Sequence, residues 1–157
     1  MKKSFLHLAV LFAVFSFTGN MAFSGRAFAG VEEKRALTSL KDQAVPSTEK
    51  RLKELTGAEI KYDVDWASFE NDLKAMNDVA YHGFQEVEVA MRYVGRDQIG
   101  KDGIQKGVKT IKFKNIEDPA QKKISLADGI LSVEAAWGKQ GGQFSNNQVA
   151  DVLNKNL

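Results

Sequence analysis

Cysteine is absent from this chain of 157 residues, and several chemistries go with it. No disulfide can staple the fold, no thiolate can serve as a nucleophile, and zinc sites of the usual Cys and His kind lose their main ligand. Histidine is nearly as scarce, with only His7 and His82, so a Ser-His-Asp site could be built on very few positions. Proline occurs only at Pro46 and Pro119. A surplus of one charge is missing too: 22 Lys and Arg stand against 20 Asp and Glu. Nucleic-acid binders concentrate positive charge because phosphate neutralisation drives their affinity, and nothing here asks for that partner.

What the chain does have begins with an address label. Lys2 and Lys3 precede an apolar run from Phe5 to Phe17, shorter than the roughly 20 residues of a spanning helix. Ala27, Phe28 and Ala29 then offer small residues at the two positions a signal peptidase reads. Residues 1–29 are therefore expected to be a cleaved secretory signal. That implies a periplasmic or extracellular protein with no stable membrane insertion after cleavage. The signal carries Lys2, Lys3 and Arg26 and no acid, so downstream of it acids outnumber bases by one.

Residues 30–57 read as a charged helical leader. Leu37, Leu40 and Ala44 lie at helical spacing, Pro46 interrupts, and Leu52 and Leu55 resume on a second short helix ending near Gly57. The spacing predicts a loosely attached arm. Residues 58–157 then form a single domain. Ile60, Tyr62, Val64 and Trp66 alternate with polar neighbours as a strand with one buried face. Trp66, Phe69, Leu73, Met76, Ala80, Phe84, Val87, Met91 and Val94 follow at the three-and-four spacing of an amphipathic helix.

A helix over 66–94 would be about 43 Å long beside a strand of about 26 Å, so a break is expected at Gly83. Beyond it, Val87, Val89, Met91 and Tyr93 also alternate, and 84–94 could instead be a fifth strand. Three further strands are expected. Their inward residues are Ile111 and Phe113; Ile124 and Leu126; and Leu131, Val133, Ala135 and Trp137. Asp128 and Gly129 mark a two-residue hairpin turn. Ser145 with Gln148 forms a capping box and Phe144 with Val149 a hydrophobic staple for a final helix.

The expected fold is therefore α+β in two layers: a mostly antiparallel four-stranded sheet, five-stranded if 84–94 is a strand, with helices packed on one face. In layout it resembles the cystatin arrangement, but the QxVxG hairpin of a cystatin inhibitor is missing, and the motifs identify no family.

One stretch imitates a nucleotide site. "GRDQIGKDGIQKG", 95–107, contains GxxxxGK at Gly95, Gly100 and Lys101. A working phosphate loop follows a strand and continues with Ser or Thr to hold magnesium, whereas Asp102 occupies that position. Asp97 and Asp102 lack the alternating oxygen ligands of a calcium loop. The glycines read as structural, and neither cofactor nor metal is expected.

His82 has Asp78 four residues before it, the spacing of a helix-surface pair, and no nucleophile motif accompanies it. No catalytic residue is assigned. The expected binding residues lie on the open sheet face: Lys112, Lys114, Lys123, Asp63 and Asp65. The loop "WGKQGGQF", 137–144, is expected to be mobile and able to carry recognition.

These readings add up to an exported, noncatalytic binding or interaction module for a protein or a cell-envelope component. Two alternatives stand beside it: a structural envelope protein self-associating through the 66–94 stripe, and a small hydrolase of envelope polymer using Asp63, Asp65 and His82.

Overall fold

The computed structural model describes residues 24–157, with side chains from residue 30 onward. The expected signal therefore lies almost wholly outside the described residues. Helix α1 (Ser24–Ser39) runs through the point between Ala29 and Gly30 where cleavage is expected. No helix among the described residues is long and apolar enough to cross a membrane.

The leader does not split at Pro46. Helix α1 continues through a single π turn (Leu40–Ala44) into α2 (Val45–Thr56). Proline lacks the N–H that would bond the carbonyl four residues back, and its ring clashes there. The wider turn avoids that conflict by bonding Val45 N–H to the Leu40 carbonyl, five residues back. Helix α2 then stops at Gly57, whose φ of 74° is left-handed.

Nor is the leader loosely attached: Leu40 in the π turn and Leu52 in α2 belong to the same buried cluster as Ile111 and Val133. The Arg51 guanidinium pairs with Glu88 at 2.8 Å, and Gln105 donates to the Thr56 carbonyl. Thr48 and Thr56 are buried, and each hydroxyl donates to the carbonyl four residues before it.

The sheet has four strands: β1 (Lys61–Val64), β2 (Thr110–Asn115), β3 (Lys123–Ala127) and β4 (Ile130–Ala135), in spatial order β1-β2-β4-β3. It is mixed and mostly parallel, which corrects the antiparallel expectation. β1 with β2 and β2 with β4 are parallel, and only β3 with β4 is antiparallel.

The connections explain this. Between β1 and β2 the chain forms a helical crossover, the link a parallel pair requires. The segment after β2 carries the chain past the place of β4 to the far edge. A tight hairpin at Asp128 (φ 52°) and Gly129 (φ 78°) then folds β4 back into the gap. Alternation in the sequence reports which face is buried and is silent about direction. It did mark the buried face: Ile111, Phe113, Leu131, Val133 and Ala135 are all buried.

The segment 84–94 is helical, so the four-strand alternative holds. The long helix starts later than its stripe suggests. Trp66–Phe69 is a short 3-10 turn, Asn71 takes a φ of 62°, and Asp72 caps α3 (Leu73–Asp78) by accepting from the Ala75 amide. At the expected break the helix widens instead into a second π turn (Val79–Gly83) before α4 (Phe84–Val94). Helix α6 (Asn146–Asn156) carries the expected capping box at Ser145 and Gln148.

The GxxxxGK glycines are structural. Asp97 caps α5 (Gln98–Gly107) by accepting from the Gly100 amide. A Cβ on Gly100 would lie 1.8 Å from the Val94 carbonyl oxygen, so the approach of α5 to the end of α4 admits no side chain. Alanine in a helix is ordinarily worth about 1 kcal/mol over glycine. Here that sign should reverse, and Gly100→Ala should lower stability by about 1–3 kcal/mol in a thermal melt; a stabilised variant would refute the close approach.

Tyr62 shows the opposite fault. Its ring is held between Phe84 and Phe113, with centroids at 5.1 and 5.3 Å, but its buried hydroxyl has no hydrogen-bond partner among the described residues. Burial, reinforced by the Glu88 carboxylate, pushes its ionisation far above the ordinary phenol range. An orphaned buried polar group costs about 1–3 kcal/mol. Tyr62→Phe should therefore unfold at the same or a higher urea concentration, and a clear drop in the midpoint would expose a missed partner.

Candidate functional site

The five residues expected to bind lie on one side of the sheet. Asp63, Asp65, Lys112 and Lys114 line a cavity of about 240 Å³ with Ser132 and Glu134. Asp63 stands opposite Lys112, and their side chains approach to 3.3 Å. Lys114 and Lys123 both stand opposite Glu134, one from each neighbouring strand. Each positive side chain thus has an acid as its cross-strand neighbour, which stabilises the sheet locally and leaves little net field over the face.

A different arrangement occurs where the π turn meets the 137–144 loop. Gly83 lies so close to Trp137 that an added Cβ would meet the indole at 2.9 Å. Trp137 is buried and donates its indole N–H to the Lys114 carbonyl. The chain then turns at Gly138, φ 75°, where a Cβ would meet the Lys74 backbone at 3.0 Å. Only glycine fits this left-handed, crowded position.

The Asp78 carboxylate fastens the loop to the helix. Oδ2 accepts from the Gly138 amide at 2.7 Å and from Gln143 Nε2 at 2.6 Å, while Oδ1 lies 2.6 Å from His82 Nδ1. Burial alone would raise the Asp78 pKa. The Gly138 amide, the Gln143 amide and His82 together outweigh it and hold the carboxyl below its usual range. Lys122 adds a second tie, donating to the carbonyls of Gly141 and Gln143 at 2.9 and 2.8 Å, and Lys139 a third, to the Glu117 carbonyl. The loop expected to be mobile is therefore pinned by three side chains. Its aromatic ends, Trp137 and Phe144, are core.

This pinning leaves a groove. One cavity of about 460 Å³ is lined by Lys74, Asn77, Asp78, Tyr81, Lys139 and Gln140 among others. An adjoining cavity of about 320 Å³ includes Glu86, Phe144 and Ser145. His82 and Gln143 border both. With a proton on Nδ1, the His82 ring donates to Asp78 and its Nε2 remains an acceptor. Glu86 Oε2 accepts from the backbone and side-chain amides of Asn146 at 2.6 and 2.8 Å, fixing the start of α6 beside the groove.

The structure thus keeps the expected Asp78 and His82 pair and sets it in a site that sequence spacing did not reveal. Gln143 and the Gly138 amide are some 60 residues away in the chain. The cavity holding Asp63 and Asp65 does not include His82, so the three residues of the hydrolase alternative are not gathered in one place. No group of three or more His, Cys, Asp or Glu suited to a metal occurs among the described residues. Compared with protein-family models, curated proteins and solved structures, the chain matches none.

Because the folded-state pKa of Asp78 is depressed, the stability it contributes is complete above its unfolded value, near 3.8. That contribution is lost as pH falls through the lower folded-state value. Asp78→Asn should cost about 1–3 kcal/mol at neutral pH and flatten the acid limb of a stability-against-pH curve below about pH 4. An unchanged acid limb would show that the carboxylate is not the clamp.

Proposed function

We propose that this chain is an exported, noncatalytic binding module whose ligand seat is the groove between the π turn and the 137–144 loop. The observation that carries this reading is the preformed state of the groove: a partly buried carboxylate and two lysines hold the loop in place. Sites that take small ligands are concave, largely preformed and about 300–1,000 Å³ in volume, and both adjoining cavities fall within that range. A loop already ordered also spares a ligand the entropic cost of ordering it.

The alternatives have less behind them. Catalysis by His82 would need a nucleophile, and the Ser145 hydroxyl beside it caps α6 by accepting from the Gln148 amide. Self-association through the 66–94 stripe would need apolar residues facing outward, whereas Phe69, Met76, Phe84, Val87, Met91 and Val94 are buried in the chain's own core. The expected partner, a protein or an envelope component, is consistent with a solvent-facing seat lined mainly by polar residue types, and the charge ladder of Lys112, Lys114, Lys123, Asp63 and Asp65 serves chiefly to keep the other face wet.

The test is a titration of the isotope-labelled chain with enzymatically solubilised cell-envelope fragments, followed by amide chemical shifts. Perturbations confined to residues 77–82 and 138–143 are expected. Shifts centred on Lys112 and Lys114 would move the seat to the sheet face, and no localised shifts would end the proposal.

A further inference from the structure

The chemistry of the groove wall selects among ligands, and we infer that it seats a short oligosaccharide, neutral and rich in hydroxyls. The inference rests on the reading of the groove as a ligand seat and deepens it.

Charge argues first. No arginine lines either cavity. The two lysines of the lining, Lys74 and Lys139, are matched in number by two carboxylates, Asp78 and Glu86. Two ammonium groups balanced by two carboxylates offer no concentrated field for a phosphate or a polyanion. A cationic ligand fares no better, because both Asp78 oxygens already accept hydrogen bonds and Glu86 holds the start of α6.

What remains unengaged is neutral. The amides of Asn77 and Gln140 make no hydrogen bond among the described residues, and Gln143, its Nε2 held by Asp78, keeps its carbonyl oxygen. An amide side chain carries donors and an acceptor side by side, which matches hydroxyl groups that also donate and accept. Beside them stands Tyr81, 72% exposed on the π turn. An aromatic residue this open, with no aliphatic companions in the wall, makes a poor seat for a lipid. It makes a good platform for the flat C–H face of a pyranose ring, with its own hydroxyl at the wet edge. The lining thus combines one ring, several amides and the His82 Nε2 in a cavity of about 460 Å³.

The experiment titrates the labelled chain with chitotriose, cellotriose and maltotriose, with inorganic phosphate and trialanine as controls. Saturable shifts at 77–82 and 138–143 are expected with at least one trisaccharide and with neither control. Tyr81→Ala should weaken that binding about tenfold or more, and Tyr81→Phe should keep it within about threefold. Because Tyr81 is exposed, both variants should retain the parent spectrum elsewhere. Three results would overturn the inference: no saturation by any trisaccharide up to about 50 mM, equal binding by Tyr81→Ala, or tighter binding of phosphate or trialanine in the groove. If envelope fragments perturb the groove while the trisaccharides do not, the ligand class is wrong and the seat stands; if neither perturbs it, both readings fall.

Discussion

The docking of Trp137 against the π turn at 79–83 governs the layout of the rest. A tight α-helical turn would have to place successive residues about 100° apart, whereas the wider turn lets Val79, Gly83 and Phe84 all face the core while Tyr81 and His82 face out. Gly83 presents no side chain, so the indole can press directly on the helix. The carboxylate of Asp78, one turn earlier, then meets the amide of Gly138, one residue after the indole. Apolar docking and polar clamping are thus two sides of a single contact. Each fixes the geometry the other requires, which is how buried polar groups become specific and not merely costly.

Local patterns in the sequence survive into the structure; relations between distant segments do not follow from them. The i, i+4 spacing of Asp78 and His82 became a 2.6 Å contact because it depends only on helical geometry. The Asp128–Gly129 turn formed as its residue types demand. Strand direction was not readable, since the period-two alternation of β2 or β4 is identical in parallel and antiparallel sheets. Pro46 was a correct sign of local conflict, but the conflict could be relieved by a break or by a wider turn, and packing of Leu40 and Leu52 into one core favours the continuous helix. The groove was hidden for a similar reason. It arises where residues near 78 and near 140 converge, and the convergence depends on how β4 enters the sheet.

The same dependence on register explains why the open sheet face carries many charges and little field. Had the sheet been antiparallel throughout, Lys112 and Lys114 would have met other neighbours. In the mixed register Asp63 falls beside Lys112 across a parallel pair, and Glu134 falls between Lys114 on its parallel neighbour and Lys123 on its antiparallel one. The Asp63–Lys112 pair is roughly half exposed on both sides, so it contributes at most a modest fraction of the stability. Its larger effect is on what the face can attract: alternating signs a strand apart cancel within a Debye length of about 10 Å.

A chain without cysteine must fix its loops by other means, and this one does so with ionised side chains aimed at backbone groups. Asp78 receives an amide N–H, and Lys122 and Lys139 donate to carbonyls. Such charge-assisted bonds are stronger than neutral ones. Asp78 and Lys139 stay in the groove wall beside Lys74, with Glu86 in the adjoining cavity, so the charges there are matched in sign. The bonds that hold the loop thus leave the groove without an excess of either sign, the condition under which the proposed neutral ligand would be met by the amides and the Tyr81 ring.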